Sequence, residues 1–268
     1  MLSERAYQVH IERLQQKHII PLKQVKQVHE WLNSRRDFRQ CGQIIGEARV
    51  GKTIACISYL KLYGKADASS QKLSTPIAYI AFPPNCTSRE LFRYIASYYK
   101  HNSQERTTQD ARNLALKLLQ EQKTEMLIID NADHLTIKNI TDIWSITHEL
   151  NIAVILVGSQ RRLISLLRKD EKLNGQFHLK YRMHNVSSQE LEEVIWVWEK
   201  DVIALPGESN LTKSPNLNIL RDASLTSEHD YRLVVIDMIL REAAVRCLKS
   251  QLTYIDKTIL EQVAKAYI

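Results

Sequence analysis

Glycine and proline are scarce in this chain, at 7 and 6 of 268 residues. Long flexible or proline-stiffened linkers are therefore not expected, and no segment is of low complexity. The four cysteines, Cys41, Cys56, Cys86 and Cys247, are far apart and form no CxxC pair. Such spacing offers neither a zinc frame nor a disulfide framework, so reduced thiols, packed as small apolar side chains in a cytoplasmic protein, are expected. The longest apolar runs, MLIID (126–130) and IAVILVG (152–158), fall well short of the ~20 residues needed to cross a bilayer. The opening stretch MLSERAYQVHIERLQQKH is charged throughout and has no apolar signal core, and no membrane partner is expected.

What is present is an ordinary globular mix, 44% hydrophobic and 25% charged, with a formal charge of +7. A basic excess of that size permits nucleic-acid binding without establishing it. The length suits one α/β domain with a small addition. Residues 5–17 read as a helix, and Pro21 suits the start of another, carrying the stripe Leu22, Val25, Val28, His29 and Leu32. Unbroken apolar runs then alternate with amphipathic stretches. PIAYIAF (76–82), EMLIID (125–130) and IAVILVGS (152–159) read as buried strands, with helices between them. That alternation predicts a parallel sheet covered by helices on both faces. From about residue 187 the pattern is helical only, with Ser188, Glu190 and Asp256 as candidate caps. The reading divides the chain into an N-terminal helical extension (1–19), an α/β nucleotide-binding core (20–185) and a C-terminal helical lid (186–268). Trp196 and Trp198 fall on different sides of one helix, one expected in the core and the other at a surface.

The segment GEARVGKT is Gly46, Glu47, Ala48, Arg49, Val50, Gly51, Lys52 and Thr53, with Ile54 following. It fits G-x-x-x-x-G-K-[ST], a phosphate loop, and lies between a predicted strand and a predicted helix as that motif requires. Glycines let the backbone curl so that its N–H groups face the phosphates, and the helix N-terminus adds partial positive charge. Lys52 is expected to reach the β- and γ-phosphates of ATP (or ADP), and the Thr53 hydroxyl to bind Mg²⁺. Asp130 ends a buried strand, where ligands bind in open α/β sheets, and is the expected acidic partner of Mg²⁺. Ser159 and Gln160 end the next strand, in position to sense a γ-phosphate or its attacking water.

The succession IIPLKQVKQVHEWL, GEARVGKT, EMLIIDNADHL, IAVILVGS and ILREAAVRCLK resembles TnsC. TnsC is the AAA+ regulator of CRISPR-associated transposons, here most like the compact cyanobacterial kind, and a relative of TniB. The similarity runs from about Glu12 onward. The resemblance implies an AAA+ P-loop NTPase core with a small helical lid. It also implies ATP-dependent self-association into a filament or ring on duplex DNA, without sequence preference. In such systems the protein links TniQ, and through it the CRISPR effector, to the TnsB transposase. Family DNA contacts fall on Asn85, Arg89 and Thr107, with Asn85 standing where lysine is usual.

Three departures from that family bear on hydrolysis. Asn131 replaces a glutamate that activates the attacking water, and an amide cannot take a proton. Gln176 and His178 flank Phe177 where relatives carry arginine fingers, with Arg161, Arg162, Arg168 and Arg182 as possible substitutes. Val235 occupies the place of a lid arginine, with Arg232 three residues earlier. The expectation is an ATP-binding protein with weak or absent hydrolysis. Two alternatives stay open: an inactive scaffold that co-assembles with an active partner, and a replication helicase-loader type of AAA+ protein.

Overall fold

The computed structural model describes residues 4–15, 22–64, 74–101 and 104–267. The expected helix start at Pro21 lies outside the described residues. The chain forms two compact units, residues 23–183 and residues 1–22 with 184–268. Helix α1 (Glu4–Gln15) belongs to the second unit.

The first unit holds, in chain order, α2 (Lys23–Asp37), β1 (Gly42–Gly46), α3 (Lys52–Tyr63), β2 (Ile77–Ala81), α4 (Ser88–Tyr98), α5 (Thr108–Glu121), β3 (Met126–Asp130), a 3₁₀ turn (Ala132–His134), α6 (Ile137–Leu150), β4 (Ala153–Ser159), α7 (Gln160–Leu167), α8 (Glu171–Gln176) and β5 (Lys180–Arg182). All strand pairs are parallel, in the order β2-β3-β4-β1-β5. The apolar runs read as strands because both faces are covered. Ile45, Leu127, Ile129, Val154 and Leu156 pack with side chains of α4–α8 such as Leu91, Ile95, Leu116, Ile140 and Leu163. The alternate residues Ile44, Ile128, Ile155 and Val157 are buried as well, and α3 packs on β1, β2 and β4 with α2 beside it. Register sets the carboxyl edge: Gly46 pairs with Ser159, and Ala81 with Asp130. The phosphate-loop start, the acidic strand end and the polar end of β4 therefore lie along one edge.

Between α2 and α3 a buried histidine replaces an apolar contact. His29 Nε2 lies 2.8 Å from Ser58 Oγ and 3.1 Å from Ala55 O, with the rings of Tyr59 and Tyr63 against it. Burial lowers its pKa, only partly offset by the Ala55 carbonyl.

The second unit is helical: α1, α9 (Leu191–Val197) continuing as a π-helix (Trp198–Ile203), α10 (Asn216–Ser224), α11 (Leu233–Lys249) and α12 (Lys257–Ala264). Leu14, Ile195, Ile203, Leu220, Ile239, Leu240 and Leu260 share its core. Arg13 fastens α1 by donating to the carbonyls of Val202 and Ile203, which end the π-helix. Glu190 is bonded by the N–H and hydroxyl of Ser187 rather than by Ser188, because the chain turns one residue earlier than expected. Asp256 caps α12, accepting from the N–H groups of Thr258 and Ile259. Trp198 is buried with its Nε1 donating to Asp237, while Trp196 is exposed. No described helix is long and apolar enough to cross a membrane.

Candidate nucleotide-binding site

The loop from β1 to α3 has the backbone its sequence demands. Gly51 adopts φ +98°, in the left-handed region where glycine carries no side-chain penalty. Gly46 is needed for a different reason: a Cβ there would stand 2.5 Å from the carbonyl oxygen of Met183. Val50 is buried and anchors the loop, whereas Glu47, Ala48 and Arg49 are exposed. Ile54 sits in the first turn of α3, partly buried.

Lys52 Nζ donates to Gly46 O at 3.1 Å and Glu47 O at 2.5 Å, so its ammonium curls back over the loop. Burial lowers its pKa, against the pull of Asp130 first and then Asp133. Thr53 Oγ1 donates to Asp130 Oδ2 at 2.7 Å. A second donor on that oxygen, the Tyr79 phenol from β2, was not anticipated from the sequence. Burial, then the bond to Asp130, raises the Tyr79 pKa. Asp130 Oδ1 accepts the Asn131 N–H at 2.8 Å. The carboxylate thus receives three donors from three different segments. A hydroxyl oxygen and a carboxylate oxygen 2.7 Å apart beside a phosphate loop are a hard-oxygen donor pair, which suits Mg²⁺ held by few protein ligands and by phosphates.

Asn131 is left-handed (φ 56°, ψ 33°) and exposed, and its side chain makes no capping bond. The 3₁₀ turn it opens carries the chain back so that Asp133 Oδ1 accepts the Ser159 N–H at 3.2 Å. Ser159 and Gln160 stand where β4 passes into α7, at the phosphate-loop edge.

Asn85 (φ 59°) is exposed in the loop after β2. Arg89 and Thr107 come together, since Arg89 donates to Arg106 O at 2.8 Å. Arg93 holds the carbonyl of Glu105 beside them. Thr107 is the N-cap of α5, accepting the Asp110 N–H at 3.1 Å and donating to Asp110 Oδ2 at 2.6 Å. Its hydroxyl therefore already serves the helix. Phe177 is buried and held by Gln43, while Gln176, His178, Arg161, Arg162, Arg168 and Arg182 are exposed. In the helical unit, Val235 is buried in the core and Arg232 is exposed at the start of α11.

Two of the surprises had faint signals. Tyr79 is the polar-tipped residue of an otherwise apolar strand, two positions before the end that pairs with Asp130. Asp133 follows Asp130 by three residues, the return distance of a tight turn.

Solved structures share this fold. The Aeropyrum pernix ORC2 protein (ADPNP–ADP complexes) is 13% identical, with a TM-score of 0.71 over 95% of this chain and 71% of that one. Cdc6p from Pyrobaculum aerophilum is 15% identical, with a TM-score of 0.72 over 96% of this chain and 71% of that one. The Aeropyrum pernix ORC1 protein in complex with DNA is 12% identical, with a TM-score of 0.65 over 96% and 68%. At these identities the likeness establishes the AAA+ fold alone. No curated protein matches the chain. A family model described as bacterial TniB protein matches residues 10–184, which take in α2, the phosphate loop, the acidic strand and the whole sheet. The chain therefore belongs to the TniB family of transposition-associated AAA+ proteins.

Proposed function

We propose that this protein is an ATP-binding regulator of DNA transposition that self-assembles on duplex DNA and hydrolyses ATP slowly. The observation carrying the proposal is the convergence of Lys52, Thr53 and Asp130 at the carboxyl edge of the sheet. Thr53 and Asp130 would hold Mg²⁺, which neutralises phosphate charge when bound. Nucleotide would release Lys52 from the Gly46 and Glu47 carbonyls toward the phosphates. The loop N–H groups and the start of α3 would orient them. Complexes of AAA+ relatives with ADPNP, ADP and DNA support this reading. The TniB match and the likeness to TnsC support partners of that system: TnsB, TniQ and, indirectly, a CRISPR effector.

DNA would meet the exposed α4–α5 surface, with Arg89 toward a phosphate and Asn85 nearby in sequence. Backbone contacts of this kind carry no sequence preference and weaken steeply with salt. Asn131 favours a second reading, a nucleotide-gated scaffold without turnover, since its amide offers no base.

The test is DNA binding by fluorescence anisotropy and sedimentation, with ATP, with ADP and without nucleotide, for the unaltered protein and Lys52→Ala. Assembly on DNA that requires ATP and is lost in Lys52→Ala is expected. Equal binding in every nucleotide condition would refute nucleotide gating. Binding to immobilised TnsB or TniQ that depends on the assembled state tests the partner assignment.

A further inference from the structure

We infer that Asp133, rather than the residue at 131, is the general base for whatever ATP hydrolysis this protein performs. The inference rests on the nucleotide site proposed above. β4 lies between β3 and β1 in the sheet. Its last residue, Ser159, pairs with Gly46 at the root of the phosphate loop. Asp133 is bonded to the Ser159 N–H. It packs so closely on Gly158 that a Cβ there would stand 2.5 Å from Oδ1. Its carboxylate is thereby fixed over the end of the strand that separates the Mg²⁺ carboxylate from the phosphate loop.

Asp133 is partly exposed, so water reaches it. Oδ1 is engaged by Ser159, and Oδ2 has no hydrogen bond among the described residues. One oxygen is thus anchored and the other is open to accept a proton.

In the step inferred, Oδ2 orients a water against the γ-phosphorus. The water oxygen forms a bond to phosphorus as the bond from phosphorus to the β–γ bridging oxygen breaks. ADP departs with that electron pair, and the water proton passes to Oδ2, which later returns it to solvent. The short aspartate side chain is tethered by its other oxygen. A base whose reach is fixed in this way suits only one water position, which agrees with the slow hydrolysis proposed above.

The experiment compares the unaltered protein with Asp133→Asn and with Asn131→Glu/Asp133→Asn on long duplex DNA. Phosphate release is read beside the affinities for a non-hydrolysable ATP analogue and for ADP–aluminium fluoride, a mimic of the transferring phosphoryl group. Asparagine can still accept the Ser159 N–H, so the tether survives in both variants. Asp133→Asn is expected to lower turnover by about 10²-fold or more, the usual loss for a general base. It should weaken ADP–aluminium fluoride at least tenfold more than the ATP analogue, and the double variant should recover turnover. Unchanged turnover in Asp133→Asn would overturn the inference. So would silence of both variants with analogue binding intact, since a carboxylate restored at 131 would then not make good the loss at 133. An unaltered protein that binds the analogue but releases no phosphate would overturn it too, while leaving the nucleotide-gated reading standing. Failure to bind nucleotide at all would sink that reading itself.

Discussion

Replacing Asn131 by glutamate puts a carboxylate next to Asp130, the aspartate proposed to hold Mg²⁺, and the structure sets the scale of the response. Asn131 is left-handed, a conformation that asparagine tolerates better than glutamate. The change should therefore cost about 1–2 kcal/mol of stability, a small part of the ~5–15 kcal/mol typical of a domain. The Asn131 side chain is exposed and makes no capping bond, so nothing is lost in removing the amide. Its backbone N–H, which holds Asp130 Oδ1 at 2.8 Å, is kept. Against this stands the gain from a longer, untethered base, about 10²–10⁴-fold where such groups act. The new charge beside Asp130 and Asp133 should attract Mg²⁺ and repel the phosphates, so metal-free nucleotide affinity should fall while the Mg²⁺ half-saturation does not rise. The assay is phosphate release on long duplex DNA, with Lys52→Ala as the blank. Turnover equal to that of the unaltered protein, with analogue binding and folding intact, would refute the view that the missing carboxylate limits the rate. The finger and lid positions would then be the limiting losses.

Other perturbations isolate single interactions. Tyr79→Phe removes one of three donors to Asp130; loss of a partner that orients a metal-ligating carboxylate typically costs about 10–100-fold in metal affinity, so the Mg²⁺ half-saturation for nucleotide binding should rise about tenfold or more. Metal-free nucleotide affinity should not move, and a matching change in both would point to general loosening of the strand. Arg89→Ala should make the salt dependence of DNA binding shallower by about 0.9 in log–log slope for each phosphate that the guanidinium neutralises, whereas an unchanged slope would remove Arg89 from the interface. His29 has a folded-state pKa below its unfolded value, so folding favours the neutral ring. Its contribution is complete above about pH 6.5 and is lost as pH falls below that value, because the unfolded chain takes the proton first. Thermal midpoints should drop from pH 7 to pH 5 more in the unaltered protein than in His29→Gln, and parallel profiles would refute the assignment.

How far the sequence discloses such a site depends on whether a function rests on neighbours along the chain or across the sheet. The phosphate loop is contiguous, and its glycines answer local constraints, a positive φ at Gly51 and a close backbone at Gly46. Asp130 is legible because an apolar run ending in one acidic residue is a buried strand reaching its ligand edge. Trp196 and Trp198 divide between surface and core as helical geometry requires. Tyr79 and Asp133 escape the same logic. Tyr79 meets Asp130 only once β2 and β3 are in register, and no spacing along the chain encodes that register. Asp133 meets Ser159 only because a left-handed Asn131 starts a 3₁₀ turn that doubles back over β4. Thr107 is the N-cap of α5, a local role that its spacing of three from Asp110 already carries.

Asn131 does more than leave out the carboxylate that the resemblance to TnsC implies. Asparagine is among the few residues at ease in the left-handed region, and it is this conformation that turns Asp133 back onto β4. The residue that removes one carboxylate thus stabilises the turn presenting another. That trade gives a single physical reason for both the missing glutamate and the fixed aspartate. It also separates the two accounts of this protein. If Asn131 marked simple decay, Asp133→Asn would leave turnover unchanged. If the turn is a working part, Asn131→Ala, which strains the left-handed turn without adding a base, should lower turnover and weaken ADP–aluminium fluoride in the same proportion as Asp133→Asn.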